Sequence, residues 1–268
     1  MPTQAEKLGI LAGEGELPLR LINHCRDNTI PVCCVQFKHC NYNTFPNIPV
    51  LKTKIEKVGL IFDFLKKNDV SHVVMIGNLQ KPALSSLRPD MRGLKTLANI
   101  GKSYLQGDDN LLRSLRREIE KEGFKVVGVD YYLKHLTLKA GTHTKQKPLK
   151  DYYAEAIRES LRYGAEDKGQ SILYHSDGTY SYETRDGTTA LIENHAREGS
   201  VLVKMTKPHQ DPDLDRPTVG LKTIQALHNK KAAGMILQAD SVFVVDQSDV
   251  IDYADKNSLF IEAVNVES

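Results

Sequence analysis

The chain has no apolar run approaching the roughly 20 residues that cross a bilayer as a helix. It also lacks a surplus of either charge. Its 36 Lys and Arg against 34 Asp and Glu give a formal net charge of +2. With the signs interspersed, there is no footprint for nonspecific nucleic-acid binding. The opening residues, MPTQAEKLGILAG, place a glutamate where a signal peptide needs a basic region and hold too short an apolar stretch. A cytoplasmic protein is expected. Cysteine is scarce, and Cys25, Cys33, Cys34 and Cys40 crowd one short window without paired C-x-x-C spacing. None of the nine histidines forms H-x-x-x-H or H-E-x-x-H, so no zinc pattern is present. Cys33 and Cys34 sit inside the apolar PVCCVQF, where reduced structural thiols are expected. Internal repeats and low-complexity tracts are absent as well.

What remains is an ordinary globular composition of 268 residues, 40% hydrophobic and 26% charged, enough for one large domain or two smaller ones. The first part alternates strand and helix. LGILA (8–12), PVCCVQF (31–37), SHVVMIG (71–77) and FKVVGVD (124–130) read as strands. ELPLRLINHCRDN (16–28), IEKVGLIFDFLKKN (55–68) and DDNLLRSLRREIEKEG (108–123) read as helices, the last with an acidic start and a glycine stop. Strands separated by helices imply βαβ crossovers, so residues 1–133 are expected to form a Rossmann-like open parallel sheet. Residues 134–150, with Gly141 and Pro148 among lysines and threonines, read as a linker. Residues 151–268 are expected to form a smaller α/β domain. Its signals are a helix at 151–165, a hairpin around Asp177–Gly178, a helix at 188–197 and the strand VLVKM (201–205). A helix at 219–232 and short strands around a helix at 247–257 follow.

GILAGEGELP (9–18) is a glycine-rich strand-to-helix turn. Gly13, Glu14 and Gly15 would let backbone approach a phosphate at a helix N-terminus. Pro18, however, stands where a dinucleotide fingerprint has its third glycine, and a tight structural turn is the alternative. Gly77 and Asn78 close the strand SHVVMIG, with Lys81 three residues on. Ligands of open parallel sheets bind outside the carboxyl ends of strands, so both glycine turns should face one crevice. Asp108 and Asp109 open the long helix, where capping competes with substrate binding. ETRDGTTALIE (183–193) sets Glu183 and Asp186 near Thr188 and Thr189, and either threonine also reads as an N-cap. The strongest signal is VKMTKPHQDPDLDRPTVG (203–220). Lys204, Lys207 and Gln210 precede Asp211, Asp213 and Asp215, while Pro208, Pro212 and Pro217 stiffen the loop. Carboxylates such as Asp211 and Asp215 hold hard divalent cations, and lysines neutralise phosphate oxygens, the combination that pyrophosphate cleavage requires. A solvated loop is the competing reading.

Together GILAGEGELP, VVMIGN, LRPDMRGLK (87–95), GDDNLLR (107–113), EKEGFKVVG (120–128), DGTTAL and KPHQDPDLDRPTVG run in order over essentially the whole chain. The ordered set resembles the UDP-2,3-diacylglucosamine pyrophosphatase family of lipid A biosynthesis, in the form without a metallophosphoesterase fold. The resemblance implies two α/β domains and a homodimer, cytoplasmic and peripheral to the inner membrane. It implies cleavage of a lipid-linked UDP-sugar to UMP and 2,3-diacylglucosamine 1-phosphate, with Mg2+ or Mn2+. It also implies that the catalytic aspartate is the one two residues ahead of the motif's last proline, here Asp215. On this reading Lys204 and Lys207 face the pyrophosphate and Asp215 binds the cation or orients the attacking water. The chain departs from relatives at Thr189, where aspartate is frequent, at Gln238, where glutamate is usual, and at Asp213, where a basic residue is usual. Two other readings stay open. One is a nucleotide-cofactor oxidoreductase, against which stand Pro18 and the absence of an acidic residue ending PVCCVQFKH. The other is a non-catalytic relative that binds a nucleotide-linked lipid.

Overall fold

A computed structural model describes residues 6–38, 40, 47–78, 82–106, 108–148, 153–208 and 210–266, the side chains of residues 102, 105, 106, 108, 109 and 134 excepted. The chain divides into two compact units: Met1–Leu133 together with Asp211–Asp215, and Lys134–Gln210 together with Arg216–Ser268.

The first unit runs β1 (Leu8–Ala12), α1 (Leu17–Asp27), β2 (Val32–Phe37), β3 (Val50–Thr53), α2 (Val58–Lys67), β4 (His72–Ile76), α3 (Met91–Gln106), α4 (Asp108–Lys121) and β5 (Lys125–Val126). Every residue of β1 and β2 is buried, as expected of parallel strands covered on both faces. Pro18, Leu21, Ile22 and Cys25 are the buried residues of α1, a single apolar stripe at helical spacing. Among the described residues the strands pair in the order β3-β2-β1-β4-β5, all parallel. The order reverses between β1 and β4, so their carboxyl ends frame the crevice where such sheets take ligands. The sequence reading placed this sheet but missed β3 and α3. The expected strand 124–130 is strand only at Lys125–Val126, because Val129–Tyr131 winds into a 3-10 turn.

All four cysteines are free and buried. Burial pushes the Cys25 and Cys34 thiols up to about 12 and Cys33 up to about 11, and it raises Cys40 as well. The thiolate is the reactive form. The native protein is therefore expected to resist an aromatic disulfide reagent that titrates all four thiols after denaturation. Rapid labelling of the folded chain would contradict this.

The second unit runs β6 (Gly141–Thr142), α5 (Tyr153–Ala165), β7 (Ser171–Tyr174), β8 (Tyr180–Tyr182), α6 (Gly187–His195), β9 (Val201–Lys204), β10 (Thr218–Val219), α7 (Leu221–Asn229), β11 (Gly234–Gln238), β12 (Phe243–Val244), α8 (Gln247–Lys256) and β13 (Phe260–Val264). Its described sheet has the order β6-β13-β11-β9-β7-β8, with β9, β11 and β13 parallel and the other pairings antiparallel. Leu173, Leu202, Leu237 and Ile261 of the sheet pack with Ile224, Leu227 and Val250 of the helices. Residues 134–148, read as linker, instead contribute a 3-10 turn and the edge strand β6. Two strand residues, one of them Gly141 at φ +136, leave no periodic signature. The hairpin is closed one step wider than expected. His175 N–H donates to Thr179 O at 2.9 Å around Ser176–Gly178, with Gly178 at φ +82, the left-handed position that three-residue loops require. The helix expected from 219 begins at Leu221, since Thr218 and Val219 pair with Phe243 and Val244.

Candidate active site

In the first unit the two glycine turns lie against each other. Glu14 N–H donates to Asn78 O at 2.7 Å, Asn78 N–H to Glu14 O at 2.8 Å, and Gly13 N–H to Ile76 O at 2.8 Å. A Cβ on Gly13 would lie 2.6 Å from Asn78 O, and one on Gly77 (φ +93) 2.7 Å from Glu14 O. Close approach of backbone to backbone therefore demands glycine at both positions. Gly13, Glu14, Gly77 and Asn78 meet at the carboxyl ends of β1 and β4, and the N–H groups of Glu14 and Asn78 are engaged by each other's carbonyls. Glu14, Gly15, Gly77 and Asn78 are the exposed residues of this rim. Lys81 lies outside the described residues. So do the side chains of Asp108 and Asp109, whose backbone opens α4.

Asp211–Asp215 is part of the same unit. A Cβ on Gly128 would lie 3.0 Å from Asp213 Cα. Gly128 follows β5, which places the segment at the same carboxyl edge as the glycine turns. Three anchors fix it. Leu214, 7% exposed, joins the apolar cluster of Leu11, Cys33, Phe62 and Val126. Leu214 and Asp215 donate their N–H groups to Asp211 O at 3.0 and 3.1 Å, while Asp213 N–H donates to Asp211 Oδ1 at 3.1 Å, a turn of the kind aspartate favours. Arg116 of α4 sets Nη1 2.9 Å from Asp211 and 3.3 Å from Asp213, and Nε 3.0 Å from Glu120. Burial pulls the Arg116 pKa down, but the bonds to Glu120 and Asp211 outweigh it and the net shift is upward. The outcome is a pinned backbone that presents an exposed Asp215. Both carboxylate oxygens of Asp211 are engaged, Oδ2 by Arg116 and Oδ1 by the Asp213 amide. Arg116 was not legible beforehand. On α4 it reads as half of an i,i+4 surface pair, and its decisive partner is 95 positions away.

In the second unit Lys204 ends β9 at 6% exposure. Its Nζ donates to Thr188 Oγ1 at 2.7 Å, and that hydroxyl donates to Glu183 Oε1 at 2.6 Å. Ser171 Oγ lies 3.0 Å from Thr188 Oγ1. Because the only proton of Thr188 is given to Glu183, Ser171 is the donor in that pair, and the threonine hydroxyl is fully satisfied. Glu183 Oε2 also accepts the N–H groups of Gln170 and Ser171 at 2.8 and 3.1 Å, and Tyr163 OH donates to its carbonyl. α6 starts at Gly187 with Asp186 before it and no side-chain cap. The N-cap alternative for Thr188 and Thr189 thus gives way: Thr188 bridges a lysine and a carboxylate, and Thr189 is exposed. Gln238, at the carboxyl end of β11, accepts Thr206 N–H at 2.9 Å. A carboxylate oxygen would take the same bond, so this departure keeps the loop attached while removing a charge. Lys207 pairs with Asp167 at 2.7 Å. Its backbone closes a turn with Gln210, Gln210 N–H donating to Lys207 O at 3.1 Å and Lys207 N–H to Gln210 Oε1 at 3.3 Å.

Fold and site together define a two-unit α/β protein. It carries a Rossmann-type sheet rimmed by glycine turns and an aspartate loop, and a mixed sheet ending in a buried lysine. Residues 7–136 match the LpxI N-terminal domain and residues 139–262 the LpxI C-terminal domain. The chain belongs to the LpxI family, as its ordered motifs implied. A protein of Caulobacter vibrioides named UDP-2,3-diacylglucosamine pyrophosphatase LpxI is 31% identical over 273 residues, covering 97% of this chain and 98% of its own. Among solved structures, a biotin carboxylase complex from Campylobacter jejuni is 11% identical and covers 84% of this chain and 42% of that one. Its TM-score of 0.24 carries no argument.

Proposed function

We propose that this chain hydrolyses the pyrophosphate of UDP-2,3-diacylglucosamine to UMP and 2,3-diacylglucosamine 1-phosphate in lipid A biosynthesis, with a divalent cation. The observation that carries the reading is the pinned segment that presents Asp215 at the carboxyl edge of the first sheet, in a chain related end to end to a protein of that name. In the reaction a water oxygen attacks one phosphorus, the anhydride P–O bond breaks, and the bridging oxygen leaves with the other phosphate. Asp215 orients the water, whose proton passes to bulk water. Lys204, held by Thr188, and Lys207, paired with Asp167, are the second unit's candidates for neutralising phosphate oxygens. Positioning and charge neutralisation carry most of such a barrier reduction. The same reading makes the protein a cytoplasmic homodimer, peripheral to the inner membrane.

The donor set bears on the cation. Among the described residues no group of three or more His, Cys, Asp or Glu side chains is arranged to hold a metal. Asp211, expected as a ligand, is engaged by Arg116. Asp215 alone fits a magnesium ion that is bound by one carboxylate and the phosphates of its substrate. When bound, the cation would neutralise the pyrophosphate and polarise the phosphorus. Incubation with the substrate and magnesium, followed by mass analysis, is expected to yield both products. Excess chelator should abolish their formation. Full turnover after removal of bound metal would overturn the cation's part, and absence of both products with magnesium present would overturn the activity.

A further inference from the structure

We propose that the first unit docks on an anionic bilayer surface through the starts of α2 and α3. Six large hydrophobic side chains are exposed among the described residues. Four of them, Leu60 (49%), Leu84 (48%), Met91 (84%) and Leu94 (58%), belong to the start of α2, the 3-10 turn Leu84–Ser86 and the start of α3. Isolated exposed apolar side chains are ordinary; Leu60, Met91 and Leu94 gathered at two adjoining helix starts are not. Asp90 draws the two helix starts together. Its Oδ2 accepts the N–H groups of Gly59 and Leu60 at 2.9 and 3.3 Å, and its Oδ1 that of Gly93 at 2.7 Å, so one carboxylate caps both helices. A Cβ on Gly93 would lie 2.4 Å from Glu56 O, which shows how closely the two starts approach. Gly93, Thr96 and Ile100 form the buried face of α3, while Met91, Leu94 and Ala98 lie on its exposed face.

The charges beside these side chains are basic. Arg88, Arg92 and Lys95 are exposed. Asp90 is taken up by its two caps, and Asp63 pairs with Arg92 at 3.0 Å, which leaves the positive balance of this face to Arg88 and to Lys95, the latter near Glu118. Apolar side chains flanked by Arg and Lys fit the headgroup boundary of an anionic membrane. A second copy of the chain fits less well, since a two-fold contact would set the basic rim against itself. In a βαβ unit the helix starts at the carboxyl edge of the sheet, so this face adjoins the edge that carries Gly13, Gly77 and Asp215. Docking would therefore bring that edge to the bilayer. Peripheral placement belongs to the reading above; the face that makes the contact is argued from the side chains alone and does not rest on the proposed activity.

The test is co-sedimentation of the full chain with vesicles of phosphatidylglycerol and phosphatidylethanolamine, and with vesicles of phosphatidylcholine alone. The anionic vesicles are expected to bind the protein. Met91→Asp with Leu94→Asp should lower partitioning at least about tenfold, and Arg88→Glu with Lys95→Glu should remove the preference for anionic lipid. Circular dichroism and sedimentation velocity on each variant report fold and oligomeric state. Failure of the wild-type chain to bind anionic vesicles would overturn the proposal. So would undiminished binding by the aspartate variant, and so would binding lost only together with a dimer, which would assign the face to a second copy.

Discussion

Replacement of Asp215 by alanine is expected to lower turnover by about 10³-fold or more while leaving stability within about 0.5 kcal/mol of wild type. The two halves of that expectation have different sources. The rate falls because a carboxylate that orients water acts on charge developing in the transition state, so its loss appears in kcat more than in KM. Stability is largely spared because Asp215 is exposed in a segment anchored at several points: Leu214 is buried, Asp211 carries the turn and Arg116 the charge. Asp213→Ala provides the control. Asp213 is the most distant of the three carboxylates on Arg116, at 3.3 Å, and its removal leaves the 2.9 Å pair with Asp211 in place. Activity within about tenfold of wild type is expected for that variant. Steady-state kinetics with thermal melts decide the matter, and a wild-type turnover number for Asp215→Ala would refute the mechanism.

The parts of this fold that announce themselves in sequence are those with long periodic signals or a forced backbone. β1, β2 and β4 are apolar runs, α1 and α4 keep one apolar stripe, and the glycine turns at Gly13 and Gly77 were legible because only glycine permits two carbonyls so close. The misses share a cause. β6 and β10 are two residues each, and their strand character comes wholly from β13 and β12 beside them. α3 was hidden in a motif that proves structural, with Asp90 capping two helices and Gly93 packed on Glu56 O. The candidate site divides in the same way. The lysines and aspartates of the 203–220 loop stood out by local density. What holds them did not, because Glu183 is linked to Lys204 through Thr188 and the strand pairing of Ser171 with Lys204, and Arg116 lies far from Asp211 in sequence.

That distant partner sets the second large effect. Arg116→Ala is expected to reduce kcat by about 10²-fold with KM changed only a few-fold, since a small displacement of a reacting group costs about that much. Arg116 serves as a positioning residue: it acts on the reaction through Asp211, from which the turn to Asp215 is hung. Without the guanidinium, the carboxylates of Asp211, Asp213 and Glu120 lose their shared counter-charge and repel one another. The side chain is 26% exposed, so the stability loss should be about 1 kcal/mol or less, a melting shift of roughly 2–4 °C for a chain of this size. Arg116→Lys restores the charge but not the fork that reaches three carboxylates, and it should recover about half of the lost activation energy. A double-mutant cycle separates positioning from general destabilisation. If Arg116 acts by restraining the acidic segment, adding Asp213→Ala to Arg116→Ala relieves the repulsion, and the double variant should turn over no more slowly than Arg116→Ala alone. Independent, additive losses would assign Arg116 a purely structural part. Wild-type kcat in Arg116→Ala would mean that Leu214 and the Asp211 turn hold the segment unaided.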